Sequence, residues 1–149
     1  MWPPKKKPEM FKLFSPQPLV DLAPRWGKIV EKTYPVVFGF SSFAHLFVCS
    51  PSEDSFAVIV TERPELIEFN MSNRGEFVSQ FIGDAKVRTD FFRESDYLAL
   101  SGRLGASKED ECFYPAPYPA LGGSGKLETY QRGNVWVHLE IYGQTLGLA

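Results

Sequence analysis

Three groupings in the C-terminal third have residue types that do chemistry. The first is Gly122-Gly123-Ser124-Gly125-Lys126, where glycine amides would cradle phosphate oxygens and the lysine would neutralise them. It departs from a phosphate loop twice. Ala120 stands where the first glycine belongs, and Leu127 follows the lysine in place of the Ser or Thr that ligates magnesium. The segment reads instead as a glycine turn that reverses the chain. The second grouping sets Cys112 or Ser124, as nucleophile, with His138 and Glu140, the constellation of acyl transfer. No nucleophile elbow accompanies it, and His138 reads as a partly exposed strand residue. The third is the acidic run Glu109, Asp110 and Glu111. Paired carboxylates act as acid and base only where their surroundings push their pKa values apart, and a hydrophilic turn leaves all three ionised. No residue is assigned a catalytic role, and the chain does not read as an enzyme.

Metal and cofactor chemistry find no support either. Cys49 and Cys112 have no CxxC spacing, so they read as buried thiols in a reducing compartment, with no metal and no cofactor. With 16 Lys+Arg against 18 Asp+Glu, the formal charge of −2 supplies no field to gather nucleic acid directly. Lys5, Lys6 and Lys7 read as part of a solvated tail. No stretch approaches the roughly 20 apolar residues of a membrane span, and three prolines interrupt the N-terminus where a signal peptide needs an apolar core, so a soluble cytoplasmic protein is expected. What composition leaves is recognition. Aromatic residues make up 15% of the chain, with 13 Phe, more than a core of this size comfortably hides. Large amphipathic rings cluster after residue 112, beside the acidic turn, and such rings dominate interface hot spots. The expected partner-binding residues are Glu109, Asp110, Glu111, Phe113, Tyr114, Tyr118, Gly123 and Ser124.

The elements that must position these groups follow from periodicity. Residues 1 to 18 carry five prolines together with the lysine run Lys5 to Lys7 and read as a flexible tail. Leu19, Leu22, Trp26, Ile29 and Val30 recur at helical spacing, with Pro24 restarting the helix. Apolar β-rich runs at 36–40, 45–49 and 56–60, then an alternating run at 65–70, predict an antiparallel meander whose last strand lies at an edge. Helices are expected from Ser72 to Gly83, from Asp84 through Phe92, and from Ser95 to Gly105. The run Phe113 to Pro119, with prolines at alternate positions, should be extended, on a sheet edge or in a surface groove. Residues 135–142 alternate in a way that favours a strand, with a helix as the alternative. The fold class is α+β: a small antiparallel sheet, residues 36–70, packed with helices from the middle third in a single domain at 19–149.

Two stretches carry a family resemblance. Pro119-Ala120-Leu121-Gly122-Gly123, then Lys126 to Arg132, Val137-His138-Leu139 and Gln144 resemble the C-terminal domain of bacterial type VI secretion immunity proteins. Trp26 with Val36 to Phe47 is similar to the end of the GAD-like domain that often precedes it. The resemblance divides the domain into a GAD-like end at 19–70 and an immunity-type region at 72–149. It implies a cytoplasmic antitoxin that binds a cognate secreted effector, in some members a DNase, and blocks its active site or substrate path. The alternative from a different class is a small-ligand-binding or regulatory domain with a pocket between the sheet and the Phe91/Phe92 helix.

Overall fold

The apolar runs between Val36 and Phe69 form the strands expected of them. In the computed structural model, which describes residues 10–148, β2 (Val36–Ser41), β3 (Leu46–Cys49), β4 (Phe56–Val60) and β5 (Glu65–Phe69) pair in antiparallel succession. A fifth strand, β1 (Phe11–Pro18), pairs antiparallel with β2 and gives the sheet order β1-β2-β3-β4-β5. This corrects the reading of a loose tail as far as residue 18. Pro16 and Pro18 are tolerated because β1 is an edge strand, where a missing amide interrupts no second ladder. The proline and lysine run at 1–9 lies outside the described residues.

β3 and β4 are buried along their whole length, because helices cover both faces of the sheet. On one face Phe38, Phe47, Phe56 and Val58 pack with Phe77, Phe81, Phe92, Tyr97 and Leu100 from the middle third. On the other, Val37, Phe40, Leu46, Val48 and Ile59 meet Leu19, Trp26, Val30, Val135 and Leu139. Val37 and Phe40 share a face although three positions separate them. A bulge between Val37 and Gly39 inserts the extra residue and sends Phe38 to the opposite side. Gly39 is required there, since a Cβ would come 2.6 Å from the Lys12 carbonyl oxygen.

The first helical stretch is two pieces, α1 (Leu19–Leu22) and α2 (Pro24–Val30), with Pro24 in the first turn as expected. α3 (Arg74–Phe77) runs into a π-helical turn at Val78–Ile82, and a second π-helical turn spans Val87–Phe91. The cap of α3 is Asn73 rather than Ser72: the Asn73 side chain accepts the Glu76 N–H, while the Ser72 N–H and hydroxyl both donate to Glu76 Oε2. α4 (Glu94–Leu104) starts at Arg93, which holds φ 55°, and ends at Gly105, with φ 83°. β6 (Glu111–Pro115) and β7 (Tyr130–Asn134) form a separate antiparallel pair.

Residues 135–142 lie in a helix, α5 (Val135–Thr145), which corrects the favoured strand. Alternation and β-branched residues pointed one way, but tertiary burial decided otherwise. Val135, Leu139 and Gly143 are buried at fourfold spacing, and the Asn134 side chain accepts the Trp136 and Val137 N–H groups at the helix start.

Candidate functional site

The acidic turn faces solvent at Glu109 and Asp110, but Asp110 and Glu111 are also tied into the fold. The Glu111 carboxylate lies 3.2 Å from Arg132 Nε and also accepts the Lys108 N–H, with only 19% of its side chain exposed. Asp110 accepts the Val135 N–H on its carbonyl and the Asn134 side-chain amide on its carboxylate, so it anchors the start of α5. Glu109 is exposed and has no side-chain partner among the described residues. Phe113 is 1% exposed, packed against Phe43 and Tyr97. A partner cannot reach it, which corrects its place among the contact residues. The cause is its inward position on β6, invisible until the pairing with β7 is known.

Ser124 is exposed, and its hydroxyl accepts the Lys126 N–H. Gly123 is held against the chain: a Cβ there would lie 1.9 Å from the Pro117 carbonyl oxygen. The glycine turn is therefore a tight closure of the β6–β7 connection rather than a phosphate cradle. Cys112, Ser124, His138 and Glu140 do not converge. Cys112 is buried, with its thiol pKa pushed up by desolvation, His138 bonds to Tyr118, and Glu140 pairs with Arg25 at 2.8 Å.

What the fold does assemble is a cleft of about 300 Å³ at the end of the sheet where the β2–β3 turn, the exit of β4, the start of α4, the β6–β7 connection and α5 meet. Phe43, Glu62, Arg93, Tyr118, His138 and Tyr142 are among its walls. Tyr114 and Tyr118 come from the expected aromatic run. Glu62 and Arg93 carried no local signal, because they reach the site only through the chain's return past the sheet. The pocket expected beside Phe91 and Phe92 is filled instead: Phe92 is fully buried against Phe11 at 4.7 Å and Phe47 at 5.9 Å.

A relay from buried Ser41 and His45 to the half-exposed Glu62 supports the cleft. Ser41 Oγ hydrogen-bonds His45 Nδ1 at 2.6 Å, and His45 Nε2 lies 2.9 Å from Glu62 Oε1. The order of residue types resembles a hydrolytic triad, but Ser41 is fully buried and its hydroxyl accepts the Phe43 and His45 N–H groups. A nucleophile must be reachable and unencumbered, so the group is a clamp on the β2–β3 turn. The hydrogen bond from His45 holds the Glu62 carboxyl below its usual pKa. Tyr142 closes the arrangement by donating its hydroxyl to the Glu62 carbonyl at 2.5 Å.

His138 lies in a ring stack, 4.9 Å from Tyr114 at 17° and 5.6 Å from Tyr142 at 15°, and shares a 2.9 Å hydrogen bond with the Tyr118 hydroxyl. Burial pulls its pKa from 6.5 down to about 4, because a charged imidazolium loses its hydration there. A depressed histidine pKa means that the unfolded chain takes up the proton first as pH falls. The neutral ring's contribution is complete above pH 6.5 and is lost as pH drops through about 4. The loss attributable to His138 is roughly 3 kcal/mol at most. Urea titrations of the wild type and of His138→Phe, which keeps a flat ring without a titrating group, check this. The stability difference between the two should move against the wild type between about pH 7 and pH 4, and parallel pH profiles would disprove the assignment.

Residues 71–145 match the family model described as T6SS immunity protein Tdi1, C-terminal. That segment runs from just before α3 to the end of α5. It holds most of the cleft wall, the acidic turn and the glycine turn. The fold is similar to that in the crystal structure of Atu4351 from Agrobacterium tumefaciens, with a TM-score of 0.59 and 15% sequence identity over 91% of this chain and 66% of that one. The chain thus spans just under two thirds of that protein's length, and at this identity the likeness concerns the fold alone. No curated protein matches the sequence significantly. Among the described residues no helix is long and apolar enough to cross a membrane.

Proposed function

Because the chain belongs to the family of the T6SS immunity protein Tdi1, C-terminal, we propose that it neutralises a cognate secreted effector by direct, stoichiometric binding in the cytoplasm, and that the effector is a nuclease. The observation that carries direct binding is an apolar stripe inside the matched segment. Val137 is 58% exposed and Ile141 49% exposed, one turn apart on α5, next to the positions of His138 and Tyr142 that line the cleft; Leu121, 64% exposed, follows Ala120 of the same cleft wall. Solvent-facing aliphatic residues on a helix whose other sides are already packed suit a partner's surface. Tyr114, Tyr118, Gly123 and Ser124 belong to the same reading as the wall and rim of that surface. Glu109 and Asp110 supply negative charge that would oppose a basic nucleic-acid cleft on the effector. The reading of residues 19–70 as the end of a GAD-like domain is supported by the sequence likeness around Trp26 and Val36 to Phe47.

Co-expression with the product of the neighbouring reading frame tests the proposal. A one-to-one complex that suppresses the effector's activity is expected. Glu109→Lys should slow association about three- to tenfold at low ionic strength, with the gap closing in high salt. If the two chains purify apart with the effector still active, the reading is wrong.

A further inference from the structure

One half of the cleft already holds a guanidinium. Arg93 lies 4.2 Å over the Phe43 ring and 5.4 Å from the Tyr130 ring centre, donates Nε to Asp96 at 2.9 Å, and donates Nη1 to the Tyr130 hydroxyl. The ring quadrupole and the carboxylate together balance its charge. The other half repeats these ingredients without a resident cation. Glu62 lines it with half of its side chain exposed, and only Oε1 is engaged, by His45. Among the described residues no lysine or arginine pairs with Glu62; its neighbour Arg63 pairs with Glu65. The rings of Tyr118 and Tyr142, 4.9 Å apart, line the same space. Their raised pKa values keep both phenols neutral, and His138 stays neutral as well at physiological pH. Arg93 and Arg63 both act on the Glu62 carboxylate from nearby, but Arg93 is paired with Asp96 and Arg63 with Glu65, so neither is seated on it and the carboxylate still faces the cleft.

We propose that the Glu62 end of the cleft binds an organic cation, an alkylammonium or guanidinium group, supplied by a basic side chain of the bound effector. The chemistry of the site stands on the cleft itself, while the source of the cation rests on the immunity reading above. The full-length chain is titrated by NMR with choline, with dimethylbutanol as its uncharged isostere, and with acetate. Choline is expected to bind at least about tenfold more tightly than the isostere, with its methyl protons shifted upfield by the rings. Glu62→Gln should abolish most of that preference. The comparison of ligands on the wild type needs no variant, so it holds even if Glu62→Gln loosens the β2–β3 turn. Equal binding of the isostere, tighter binding of acetate, or no saturable binding of any of the three overturns the site. The source is read separately: saturating choline, but not the isostere, should slow capture of the effector. Choline binding that leaves capture unchanged overturns the effector side chain as the cation. Failure of the unmodified chain to form any effector complex would sink the immunity reading, with the choline result still standing.

Discussion

Val137→Asp combined with Ile141→Asp should weaken effector binding by about a hundredfold or more while leaving the chain folded. Both side chains are largely exposed and contribute little to the core, so the fold has little to lose. Asp at the first of these positions lies in the opening turn of α5, where a negative charge suits the helix dipole, and the propensity cost of the pair is only about 1 kcal/mol. An interface is different. Two carboxylates placed in the middle of an apolar contact must be desolvated without partners, and that penalty appears in the dissociation rate. Calorimetric binding and thermal melting on the same preparations check both halves. An unchanged Kd would remove α5 from the contact surface, and a collapse in melting temperature would show that the stripe has a structural role.

Trp26→Ala has the largest expected effect on stability, about 3 to 5 kcal/mol, or a fall in Tm of roughly 6 to 20 °C for a chain of this size. Trp26 is fully buried on the sheet face that α5 covers, and its indole N–H donates to the Leu139 carbonyl at 2.8 Å. One side chain thus fills space between α2, the sheet and α5 and ties the two helices together. Trp26→Phe separates these contributions. It retains most of the volume but removes the indole donor from a carbonyl that keeps only its helical hydrogen bond, and should cost about 1 to 3 kcal/mol. Thermal and urea melts that coincided with the wild type would contradict this account. Because His138 and Tyr142 ride on α5, Trp26→Ala should also disorder the cleft, visible as loss of the ring-shifted tyrosine resonances.

How far the fold was legible depended on how local each element's cause is. Phe56-Ala57-Val58-Ile59-Val60 can hardly be anything but a buried strand, and the turn residues Pro51 to Ser55 separate it from its neighbour. The four strands β2 to β5 followed from such runs. β1 did not, because its prolines argue against a strand until an edge position is known. α5 misled for the opposite reason: Val135, Val137, Leu139 and Ile141 alternate as in a strand, while the buried set is Val135, His138, Leu139 and Gly143. The Asn134 cap was the one local signal that favoured the helix.

The site was legible only in part. Tyr114 and Tyr118 stood out as large amphipathic rings in a proline-rich run beside the acidic turn, and both line the cleft. Their neighbour Phe113 was indistinguishable in sequence, yet alternation along β6 turns it into the core. Acidity marked Glu109, Asp110 and Glu111 equally, but pairing with Arg132 and Asn134 draws two of them into the fold.

By itself, then, the amino-acid order determined the meander, the helical middle third, the glycine turn and the likeness to an immunity family, because each rests on periodicity, turn chemistry or motif within a short window. Only the tertiary structure decided the cleft. Its residues lie as far apart in the chain as Phe43, Arg93 and Tyr142, and their burial, charge balance and neutral histidine are properties of the environment that packing creates, which no single segment encodes.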